Sequence, residues 1–158
     1  MIGAGSSAAA SFSAGRTSGL DASALAAAWA AARSSPTSWL LATVDHGAKA
    51  VRLGAQGEGG YAALQPHLAA ADGSAALFGV LPYASSGAQQ QQHRHAFFCY
   101  LPPALAGMAR GRVSLQRAAV YAACEGVVGD LTLEEDLAPA AVQALLARIP
   151  GAQGAALQ

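Results

Sequence analysis

Phe97-Phe98-Cys99-Tyr100-Leu101-Pro102-Pro103, followed closely by Gly107-Met108-Ala109-Arg110-Gly111-Arg112, is the stretch that decides the architecture. An unbroken apolar and aromatic run closed by two prolines reads as a central strand covered on both faces, because a strand with one wet face would alternate. Leu77 to Leu81 has the same character and reads as a second such strand. Beyond the prolines a long helix is expected, starting between Arg110 and Ser114. It reaches about Gly126 and packs through Val113, Val120, Cys124 and Val127.

Working outward, Ser85 to Arg94 holds Gln89 to Gln92 and reads as a mobile hairpin loop between the two strands. Upstream, Asp21 can cap a helix running to about Arg33, with Leu25, Trp29 and Ala32 at helical spacing. Trp39 to Val44 reads as a strand, Asp45-His46-Gly47 as a hairpin turn and Ala48 to Leu53 as the returning strand. A short helix is expected from Tyr61 to about Ala70, with Pro66 kinking it or delaying its start. Downstream, Leu131 and Leu133 mark a short last strand. A final helix follows from about Leu137 to Ile149, with Pro139 in its first turn. The reading is α/β: one domain with a central mixed, mostly antiparallel sheet of about five strands and helices on both faces. Residues 1–18 are expected to be a disordered tail, 19–150 the domain and 151–158 a C-terminal tail.

Composition narrows the function. The chain has 158 residues, enough for one self-sufficient core, and only 11% of them are charged. Its apolar runs are shorter than the roughly 18 to 20 residues a membrane span needs. The first residues lack the basic and apolar regions of a secretory signal. Cys99 and Cys124 each sit in an apolar run and read as reduced, buried thiols of a cytoplasmic protein. Net charge is zero but unevenly laid out. No acidic residue occurs from Gly73 to Cys124, where Arg94, Arg110, Arg112 and Arg117 fall, while Glu125, Asp130, Glu134, Glu135 and Asp136 follow at once. Such a basic region suits docking to an acidic partner.

Catalytic chemistry is not assembled. The glycines from Gly54 to Gly60 lack the pattern of a phosphate-binding loop, so no nucleotide cofactor is expected. His93 and His95 lie in a glutamine-rich stretch without further ligands, and His46 and His67 are isolated, so no metal is expected. Cys99 lies mid-strand, where a thiol is packed and inert. Glu134, Glu135 and Asp136 read as an acidic lead-in to the last helix. The aromatics fall in core strands rather than among exposed cations, which argues against nucleic-acid binding.

Three stretches together resemble the ADF-homology domain, and within it the coactosin-like branch. The first is Trp39 with its strand, the Asp45-His46-Gly47 turn, Gly54-Ala55-Gln56-Gly57 and Tyr61. The second is Leu77-Phe78-Gly79-Val80-Leu81-Pro82-Tyr83. The third is His95-Ala96-Phe97-Phe98-Cys99-Tyr100 with Gly107-Met108-Ala109-Arg110-Gly111-Arg112. The resemblance spans roughly residues 19 to 150. It implies a non-enzymatic, cytoplasmic and cytoskeletal actin-binding module, monomeric, that favours filament sides over the actin monomer and does not sever. In that family a basic pair one residue apart begins the long helix and faces actin, a pattern that Arg110 and Arg112 match. Met108 precedes the pair. Arg117 joins it, seven residues on, if the helix is continuous. Arg94 marks the loop that would add a second contact. Coactosin-like domains carry several lysines in that loop where this chain has glutamines. The alternative reading is therefore a domain of the same fold that serves as an adaptor or complex subunit and has lost actin binding.

Overall fold

The computed structural model describes residues 19–45, 47–86, 91–150, 152 and 154–158; the expected N-terminal tail, His46, Gln89 and Gln90 lie outside the described residues. In chain order the elements are α1 (Ser23–Ala32), β1 (Trp39–Asp45), β2 (Ala50–Gly57), α2 (Gly60–Ala69), β3 (Leu77–Ser86) and β4 (Gln91–Tyr100). There follow α3 (Gly107–Gly111), α4 (Val113–Ala123), β5 (Val128–Leu133), α5 (Pro139–Leu146) and β6 (Ala156–Leu157). The sheet runs β2-β1-β3-β4-β5, with β6 pairing β3 off that path. Among the described strands β4 and β5 are the pair that runs parallel, because α3 and α4 form the crossover between them.

Alternation along the strands divides the core in two. Trp39, Leu41, Leu81, Phe98, Tyr100, Leu131 and Leu133 face one side and pack with Tyr61, Leu64 and Leu68 of α2 and Val142 and Leu146 of α5. Leu40, Phe78, Val80, Phe97 and Cys99 face the other and pack with Leu25 and Trp29 of α1 and Val113 and Val120 of α4. The expected covering of β3 and β4 on both faces is thus present. Gly79 lies near the start of β3, where a Cβ would sit 2.1 Å from the Leu40 carbonyl oxygen and 2.7 Å from Phe98 Cζ.

Several elements differ from the sequence reading. The glutamine stretch is not all loop: β3 and β4 stay paired out to Ser86 and Gln91, which places Gln92, His93 and Arg94 in strand. Pairing along so long a hairpin holds polar residues extended whatever their own preference. Pro66 sits inside α2 without delaying its start. The carbonyl it leaves unpaired belongs to exposed Ala62, where water can satisfy it. The long helix begins at Gly107 and is interrupted at Arg112, whose N–H bonds the carbonyl three residues back, on Ala109. Asp21 does not cap α1 directly. It accepts hydrogen bonds from the Ser23 N–H and hydroxyl just ahead of the helix, which hold its carboxyl below the usual range.

Within the stretch read as a C-terminal tail, described residues are packed. Ala152 is buried, and Ala156 and Leu157 pair with Ala84 and Tyr83. Gln143 of α5 holds this strand like a rung, donating from Nε2 to the Ala155 carbonyl and accepting from the Leu157 N–H at 2.7 Å. A strand of two residues has no legible period, so its pairing is visible only in three dimensions.

Candidate functional site

The exposed side of α3 and α4 is the distinctive surface. Met108 is 73% exposed and Leu115 68%, the highest values among exposed large apolar residues described. Leu115, Ala118 and Ala122 fall at i, i+3 and i+7, so they share one solvent-facing stripe. Val113, Ala119 and Val120 point inward. Tyr121 borders the stripe, its ring edge-on to Phe97 at 5.2 Å. Arg110 is exposed and Arg112 half-buried, and neither side chain makes a hydrogen bond or ion pair among the described residues. With no acidic residue from Gly73 to Cys124, any carboxylate partner for this segment must come from outside it, as Asp130 does for Arg117.

Arg117 is placed differently. Its Nε donates to Asp130 Oδ1 and Oδ2 at 2.9 and 3.0 Å, and its Nη2 to Thr132 Oγ1 at 3.0 Å. It is therefore engaged with β5. Arg94 is exposed on β4 and donates to Gln92 Oε1 at 2.7 Å. It lies six residues before Tyr100, about 20 Å along the strand. It pairs with Tyr83, on the face opposite α4. Met108, Arg110 and Arg112 thus lie on or at the end of α3, while Arg94 lies on β4 on the sheet face opposite α4. By strand alternation His93, not Arg94, shares the α4 face.

Leu115 is the residue the sequence reading missed. Its signal was present: a large apolar side chain out of phase with Val113, Val120 and Cys124 on a helix exposed on one face.

The remaining titratable groups are structural. Burial pushes the Cys99 thiol up to about 11 and Cys124 to about 12, leaving neither as a nucleophile. Tyr61, raised to about 12 chiefly by burial, donates to the Leu137 carbonyl at 2.7 Å. His95 is buried with its Nε2 3.2 Å from the Ser38 hydroxyl, which itself donates to the Ser35 carbonyl, so the ring nitrogen is the donor of that pair. His67 is exposed beside Trp39. Among the described residues no three His, Cys, Asp or Glu side chains are grouped to hold a metal, and no helix is long and apolar enough to cross a membrane.

The fold is shared with solved structures of low identity. Human coactosin-like protein superposes with a TM-score of 0.65 at 14% identity, covering 80% of this chain and 88% of that one. Coactosin from Entamoeba histolytica gives 0.64 at 18% identity, covering 80% and 94%. Streptomyces griseoflavus cofilin gives 0.51 at 7% identity, covering 63% and 72%. Among curated protein sequences none matches significantly. The family described as cofilin/tropomyosin-type actin-binding protein matches residues 19–146, and with most of its length inside that match the chain belongs to the cofilin/ADF family.

Proposed function

We propose that this protein binds actin through the exposed face of α3 and α4, with Arg110 and Arg112 as charge contacts and Met108 and Leu115 as apolar anchors. The observation that carries the reading is exposed Met108 and Leu115 on α3 and α4, where Arg110 and Arg112 make no ion pair among the described residues, in a member of an actin-binding family. Exposed apolar residues grouped beside cations are what an interface centre and its rim require. The arginines speed encounter with an acidic partner and confer salt sensitivity, while the apolar anchors set the dissociation rate.

Filament sides are the favoured target, bound by a monomer without severing. The resemblance to coactosin-like domains supports that mode. So does the placement of Arg94 on β4, about 20 Å along the strand from Tyr100 and on the face opposite α4, where it would meet a different part of the filament. The same reading places the protein in the cytoplasm, on the cytoskeleton.

The test is co-sedimentation with actin filaments across a salt series, comparing the native chain with Arg110→Ala/Arg112→Ala, together with imaging of filament lengths. Pelleting that weakens with salt and collapses in the double variant, with filament lengths unchanged, is the expected result. A folded native chain that stays in the supernatant at low salt, and does not bind actin monomers either, overturns the reading in favour of an adaptor of the same fold.

A further inference from the structure

Arg117 spends its guanidinium inside the molecule. Its Nε forks onto both carboxylate oxygens of Asp130, its Nη2 reaches Oδ1 at 2.5 Å, and the same nitrogen bonds Thr132 Oγ1 and approaches the Leu131 carbonyl at 3.4 Å. The side chain is 24% exposed, against 48% for Asp130. Planar, bidentate pairing of this kind fixes orientation as well as proximity.

What it fixes is α4. Asp130 and Thr132 lie on the β5 face beneath that helix, while Leu131 and Leu133 point into the opposite core. Beneath α4, therefore, β5 offers these two polar side chains. On its own inner side α4 buries Val113, Ala119 and Val120, with Tyr121 edge-on to Phe97. Those apolar contacts are non-directional, whereas the guanidinium–carboxylate fork has a fixed orientation. Arg117 sits between Leu115 and Ala118, so any rotation about the clamp moves the exposed stripe directly.

We infer that Arg117 is a positioning residue: the Arg117–Asp130–Thr132 clamp seats α4 on the sheet and turns Leu115, Ala118 and Ala122 outward. The link to actin rests on the function proposed above; the seating of α4 does not. Register supplies a reporter for the seating alone. Cys99 pairs with Thr132 and faces α4, so its thiol lies beside the clamp, near enough for the charges of both Arg117 and Asp130 to bear on it. Cys124, at the far end of α4, is a buried thiol outside the clamp.

The experiment compares the native chain with Asp130→Asn, Arg117→Lys and Arg117→Ala/Asp130→Ala. Two readouts are taken: filament co-sedimentation, and labelling of the folded protein by a maleimide, resolved to Cys99 and Cys124 by peptide mass. The clamp predicts that each single variant binds filaments about tenfold more weakly, about 1.4 kcal/mol. The double variant is then no weaker than the worse single, because the pair acts as a unit. It also predicts that Cys99 labels faster while Cys124 stays protected.

Two results overturn the inference. If Asp130→Asn binds as well as or better than the native chain while Arg117→Lys weakens, Arg117 touches the partner itself. If Cys99 and Cys124 become reactive in step, the variants merely lower global stability. Should the native chain not bind filaments, the actin reading fails, and the labelling pattern still decides whether the clamp seats α4.

Discussion

The imidazole of His95 meets the indole of Trp29 edge-on, with ring centroids 4.8 Å apart and planes at 79°. Trp29 also donates from its indole N–H to the Glu125 carbonyl at 2.8 Å, so one side chain of α1 ties the end of α4 to β4. Burial lowers the His95 pKa, helped by His93 on the same strand and opposed by the Ser35 carbonyl. Arg33 and Glu125, paired at 3.6 Å, flank the same tryptophan.

Stability should therefore depend on pH through His95. Folded, it binds protons less readily than the unfolded chain, whose histidine titrates near about 6.5. Its contribution is complete above that value and is lost as pH falls through it toward the lower folded pKa. The thermal midpoint should drop between about pH 7.5 and 5. His95→Asn should flatten that slope. An equal slope in the variant would assign the dependence elsewhere.

Leu115→Asp should separate binding from folding. The side chain is 68% exposed, so the urea midpoint should move by no more than about 0.5 kcal/mol equivalent. Filament binding should weaken roughly tenfold or more, as for loss of an apolar anchor. Retained affinity would move the contact off this face.

Two glycines make an internal comparison. Gly79→Ala drives a Cβ into the Leu40 carbonyl and the Phe98 ring and should cost about 3 kcal/mol or more, measured by urea unfolding. Gly111→Ala in α3 meets nothing within 4 Å and should be neutral or stabilising by up to about 1 kcal/mol.

Gln143→Glu tests the hold on β6. The variant keeps an acceptor for the Leu157 N–H but sets a carboxylate against the Ala155 carbonyl, which then loses its donor. A loss of about 1 to 3 kcal/mol is expected, with faster amide exchange at Leu157. Unchanged exchange would show that β3 pairing alone holds the strand.

Much of this architecture was legible because the chain marks it locally. Phe97 to Tyr100 and Leu77 to Leu81 are too apolar and too short to be anything but covered strands. Gly79, Pro102 and Pro103 punctuate them, and Arg110 with Arg112 stands out in a chain so poor in charge. The helices were harder to bound. Alanine fills both their buried and their exposed sides, so the 3.6-residue period that locates a helix edge is nearly flat. That flatness hid the interruption at Arg112.

The sequence by itself determined the strand order of burial, the helix-covered sheet and the acid-free segment carrying the basic pair, since each follows from what a residue and its near neighbours must do with water. Only the tertiary structure decided that Arg117 pairs with Asp130, that Arg94 lies on the sheet face opposite α4, that His95 is buried against Trp29 and that residues 156–157 pair with β3. Those outcomes depend on which element lies beneath or beside another. A charged or polar side chain looks the same in sequence whether its partner is water or a carboxylate thirteen residues away.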